Sequence, residues 1–174
     1  NVAETIAIED SDITLDGAGH TVSFAVGDGI YTDESNVIIK NVTVSNSLRG
    51  VVYHDALFTI ANGGRVENTV MTGNNTNFTD EGVSSITLTN STVDHGATGV
   101  YLYDQFDGFP TNNISITRVN FKENTTDLLN AGTTFSLSNA TDRGNYWDQN
   151  TACIQDVTSP SHCKNSYDSG GVTD

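Results

Sequence analysis

Basic residues are scarce in this chain: seven Lys and Arg stand against 22 Asp and Glu, giving a formal net charge of −15. So few cations leave no stripe that could displace the counterions of a nucleic-acid backbone, and an anionic membrane surface is disfavoured by the same sign argument. Proline occurs only twice, and no stretch carries a long apolar period of about 3.6 residues, which argues against a helix bundle. No apolar run approaches the roughly 18 residues of a membrane span. The opening Asn1–Thr5 is polar and reads as a mature or excised start, not a signal peptide.

Cysteine is limited to Cys153 and Cys163. A pair so close in sequence reads as a local disulfide, which needs an oxidising compartment. What is abundant is Gly, Asn, Thr and Ser, the composition of short strands joined by tight turns. Seven Asn-x-Ser/Thr sequons begin at Asn41, Asn74, Asn77, Asn90, Asn113, Asn124 and Asn139. Together with the cysteine pair they place the chain outside the cell or on its surface. The acids are scattered, which favours hydration at high salt; Ca²⁺ held by Asp oxygens is the alternative, and no other cofactor is expected.

An internal repeat organises the chain. Five segments superimpose: 37–44, 65–71, 86–93, 114–121 and 135–141, with a looser copy from Ile13 to Val22. Each reads as a short alternating strand, a polar corner and a second strand. The corner positions 41, 68, 90, 118 and 139 are spaced by 27, 22, 28 and 21 residues, a period that suits coils which cannot bury their inward Val, Ile and Leu until stacked. The expected fold is all-β, a right-handed parallel β-helix of about six coils over 1–148, with 149–174 breaking the repeat as a cap or docking tail. Asn occupies four of the five corners (Asn41, Asn68, Asn90 and Asn139, with Arg118 the exception). Asn tolerates left-handed backbone, and in-register amides can donate to one another as a ladder. On that reading the ladder amides have no room for sugar, and Asn74, Asn77 and Asn124 become the glycosylation candidates, with Asn113 intermediate.

The segments Ile13–Val22 and Asn36–Asn46 resemble successive coils of the NosD-like parallel β-helix repeat (PbH1) family. Gly144-Asn145-Tyr146-Trp147-Asp148 is similar to the motif that closes this domain, especially in archaeal surface proteins. Together with the acidity and low lysine, the resemblance implies a halophilic, archaeal surface setting. It also raises copper delivery, which clustered Met, Cys or His would serve. Met71 is the only methionine, and His20, His54, His95 and His162 fall in unrelated phases, so no metal site is expected.

The function expected from these features is an extracellular structural or assembly module of a cell surface, sheath or filament. Its open strand edges would favour self-association head to tail. Two alternatives remain open. One is a polysaccharide-processing enzyme using Asp104 and Asp107 as its carboxyl pair, although Asp104–Pro110 also reads as a solvated loop. The other is a glycan-binding domain stacking sugars on Tyr53, Tyr101 and Tyr103.

Overall fold

The structure is a computed structural model that describes residues 3–54, 62–103, 113–131, 135–137, 145–147, 155–156 and 159–163. Among the described residues the chain winds through six coils of three strands each. The first holds β1 (Ile6–Ile8), β2 (Thr14–Asp16) and β3 (Thr21–Ser23), the second β4 (Asp28–Thr32), β5 (Val37–Lys40) and β6 (Thr43–Ser45). The third holds β7 (Arg49–His54), β8 (Asn62–Glu67) and β9 (Val70–Thr72), the fourth β10 (Thr76–Glu81), β11 (Ser84–Thr89) and β12 (Thr92–Asp94). The fifth holds β13 (Thr98–Tyr103), β14 (Ile114–Thr117) and β15 (Asn120–Lys122), the sixth β16 (Thr126–Ala131), β17 (Phe135–Leu137) and β18 (Tyr146–Trp147). Every third strand pairs in parallel with its counterpart in the next coil, giving sheet 1 (β1-β4-β7-β10-β13-β16), sheet 2 (β2 to β17) and sheet 3 (β3 to β18). This is the parallel β-helix expected from the repeat. Beyond it, β19 (Gln155–Asp156) and β20 (Ser159–Cys163) pair antiparallel. The described residues include no helix long and apolar enough to cross a membrane.

Register explains why the coils stack. Inward positions line up as columns: Ile30, Val51, Phe78, Val100 and Leu128 in sheet 1, and Leu15, Ile39, Val66, Leu88 and Ile116 in sheet 2. Val22, Val44, Met71, Val93 and Phe121 complete the third side. Apart from the half-buried Leu15, all these side chains are buried. No single coil has an interior of its own, so the free energy of burial accrues only between coils.

Tyr53 belongs to this core, which corrects its reading as a sugar platform. It is fully buried, its hydroxyl donates to the Val37 carbonyl at 2.9 Å, and its ring fills the space opened by Gly64. A Cβ on Gly64 would lie 2.5 Å from the Tyr53 ring. Burial pushes the Tyr53 hydroxyl far up from its ordinary range.

Candidate functional site

Strand alternation turns Tyr31, Val52, Thr79, Tyr101 and Leu129 away from the core as one column of sheet 1. A second outward column holds His54, Glu81 and Tyr103, with Glu81 paired in register to both neighbours. Val52 and Thr79 are nevertheless 0% and 1% exposed, so the outer surface of sheet 1 is itself covered at the third and fourth coils.

Arg49 organises this surface. Its guanidinium grips Asp28 with two donors, Nε and Nη2, each at 2.7 Å, and its Nη1 donates to Glu81 Oε1 at 2.5 Å. A bidentate pair of this kind fixes the guanidinium plane, and the hydrogen bond to Asp28 raises the Arg49 pKa. Glu81 Oε1 also accepts from the Tyr103 hydroxyl at 3.1 Å, while Oε2 lies 3.8 Å from His54 Nε2. Around this charged centre the aromatics pair off: Tyr101 stacks on Tyr103 with ring centroids 4.9 Å apart and a 19° tilt, and Tyr31 meets His54 at 5.8 Å. Burial, and then the Glu81 charge, push the Tyr103 hydroxyl up to about 12.

That shift carries a pH prediction. A tyrosine whose folded pKa is raised stabilises the fold fully below its unfolded value of about 10, and the contribution is lost as pH rises through the folded value. An alkaline titration should therefore show a tyrosinate step near 12, with stability falling between about pH 10 and that step. Tyr103→Phe should remove the step while leaving the later-titrating Tyr53 in place. A Tyr103→Phe titration identical to that of the native chain would refute the assignment.

A second polar assembly lies inside the coil, at the corner between sheets 3 and 1. Asn74 Nδ2 donates to the Val44 carbonyl and to Asn77 Oδ1, and Asn74 Oδ1 accepts from the Ser47 amide. Asn77 Nδ2 donates to the Asp94 carbonyl and to Asn124 Oδ1. Asn124 accepts from the Gly96 amide and donates to the Val93 carbonyl and Asp127 Oδ1. The result is a continuous amide spine over four coils. Glycines alternate with it: a Cβ on Gly50 would overlap the Asn77 carbonyl oxygen, and one on Gly99 would lie 2.5 Å from the Asp127 carbonyl oxygen.

The structure thus reverses two sequence expectations. Asn74 and Asn77, expected to carry sugars, are 2% and 0% exposed, and Asn124 spends its whole amide in the spine. The corner residues Asn41, Asn68 and Asn90 do stack with Arg118, each backbone left-handed at φ 52, 50, 49 and 55°. It is their main chains that bond from coil to coil, as Asn68 N–H donates to the Thr89 carbonyl and Asn90 N–H to the Thr117 carbonyl. Asn68 and Asn90 are exposed, and the Asn41 amide donates to Asp16. The corner selects Asn for its φ, and the buried amide ladder is elsewhere. Asn113 is exposed at φ 65° just before β14. Asn139, Cys153, Asp104 and Asp107 lie outside the described residues, and of Cys163 only the strand is described. Among the described residues no group of three or more His, Cys, Asp and Glu is placed to hold a metal ion.

Part of the spine is readable in the sequence as three-apart pairs recurring once per coil: Ser47/Gly50, Asn74/Asn77, Gly96/Gly99 and Asn124/Asp127. The Arg49 cluster has no such mark, because its two carboxylates lie 21 and 32 residues away. No family model, curated protein or solved structure matches this chain.

Proposed function

We propose that the chain is an extracellular surface module whose working part is the Tyr101–Tyr103 end of the outer face of sheet 1, and that this patch binds uncharged, hydroxyl-rich glycan. The observation that carries the reading is the stacked Tyr101–Tyr103 pair beside Glu81 and the doubly paired Arg49. Sugar rings offer apolar faces to aromatic side chains and hydroxyls to fixed donors and acceptors. Charge selects among glycans. Arg49 is matched by Asp28 and Glu81 together, so the cluster has no spare cation for a uronate or sulfate.

The same geometry favours binding over cleavage. Hydrolysis uses two carboxyls facing a cleft, and both oxygens of Asp28 are already held by Arg49. Elimination needs a base near its working pH, and Tyr103 is displaced in the opposite direction. The resemblance to NosD-like archaeal surface proteins, and the strong negative charge, support a cell-surface, sheath or filament setting at high salt. Self-association there would display the face many times over.

Isothermal titration with neutral and uronate-bearing oligosaccharides tests the proposal. Neutral glycan should bind, and Tyr101→Ala should weaken it roughly tenfold, the equivalent of about 1.4 kcal/mol. Preference for the uronate, or an unchanged affinity in Tyr101→Ala, would reject it.

A further inference from the structure

Seven sequons are written into the chain, and the fold sorts them. Asn74 and Asn77 are sealed in the interior, and Asn124 has committed its amide nitrogen to Val93 and Asp127 and its oxygen to Gly96 and Asn77. Asn41 donates its amide to Asp16 Oδ1 at 3.1 Å, one of the bonds that hold the Asp16 carboxyl below its ordinary pKa, after the larger contribution from the Ala18 amide.

Asn90 differs on every count. Its side chain is exposed, and only its backbone N–H serves the coil stack, by donating to the Thr117 carbonyl at 3.2 Å. The same corner holds the exposed, much longer Arg118 one coil further on, so the position accepts a bulky projecting group. The third sequon residue also faces out: Thr92 pairs in register with Val70, which is 38% exposed, and with the exposed Asn120. Ser91, between them, turns inward, its hydroxyl donating to the Thr89 carbonyl. The acceptor amide and the hydroxyl required two residues later therefore share one open surface.

We propose that Asn90 is an N-glycan acceptor. The donor class is a lipid-linked oligosaccharide (pyro)phosphate, and the catalyst a membrane oligosaccharyltransferase. The Asn90 Nδ2 attacks the anomeric carbon of the first sugar, a C–N bond forms, and the C–O bond to the lipid phosphate breaks. The phosphate leaves with the electron pair, and the nitrogen gives up one proton. The acceptor corner joins sheets 2 and 3, opposite sheet 1, so the sugar and the Tyr101–Tyr103 face do not compete for space. The proposal is thus independent of what sheet 1 binds.

The full chain, secreted from a host with an oligosaccharyltransferase, tests it by glycopeptide mapping before and after enzymatic deglycosylation. Asn90 is expected to carry glycan, with Asn74 and Asn77 bare in the folded, secreted fraction. Asn90→Gln should lose that one glycan mass. Thr92→Ala keeps Asn90 in its left-handed corner and should lose the same glycan with an unchanged melting temperature, which separates modification from folding. Folded protein bare at Asn90, or folded protein with sugar on Asn74 or Asn77, overturns the proposal.

Discussion

Gly50→Ala is expected to lower the urea midpoint of this protein steeply. A Cβ at that position would overlap the Asn77 carbonyl oxygen and lie 2.8 Å from the Asn74 amide nitrogen. The first of these is backbone of the next coil and cannot swing aside. Relief would require the third and fourth coils to separate, and a parallel stack has few other contacts to replace the strand pairs lost there. Overpacking in a dense core costs about 1–3 kcal/mol even where side chains can adjust. Here the obstacle is main chain, so the upper end or beyond is expected, a large part of a typical domain stability of about 5–15 kcal/mol. Urea denaturation followed by circular dichroism would read this directly. A Gly50→Ala chain with a native midpoint would show that the coils do not approach as closely as described.

The second large effect contrasts two asparagines that look alike in the sequence. Asn77→Ala removes both an acceptor for Asn74 and the donor that reaches Asp94 and Asn124. Each buried polar group left unmatched costs roughly 1–3 kcal/mol, so a loss of about 3 kcal/mol is expected. Asn68→Gly should by comparison change stability little, because glycine accepts a φ of 50° without strain and the exposed amide is dispensable. Were Asn68→Gly to cost as much as Asn77→Ala, the corner amides would have to be structural after all, and the reading of the corner as a backbone requirement would fail.

The coil architecture was legible because it is periodic. Inward aliphatics two apart, corner residues recurring every 21 to 28 residues, and Asn where the backbone turns left-handed are all local signals. The role of each asparagine was not legible, because burial depends on which side of a corner the residue falls and on what the next coil offers. Asn41 and Asn74 have similar neighbours in the sequence, Asn41-Val42-Thr43 and Asn74-Asn75-Thr76. Only the second faces the space left by Gly50. The Arg49 cluster escaped for a different reason. Its members are single residues on the second, third, fourth and fifth coils, and nothing in Arg49 itself selects Asp28 and Glu81 from the other acids of the chain.

From the third coil onward the spine alternates small and large residues, after the two glycines Gly29 and Gly50 of the second and third. The third and fifth coils contribute the openings, Gly50 and Gly99, while the fourth and sixth contribute Asn77 and Asp127 at the equivalent positions. Excising the fifth coil would set Asn77 against Asp127, whereas excising the fourth would set Gly50 against Gly99, the glycine-on-glycine step that Gly29 and Gly50 already make. Shortening of this molecule should thus tolerate loss of the fourth turn better than loss of the fifth, so its turns are not interchangeable.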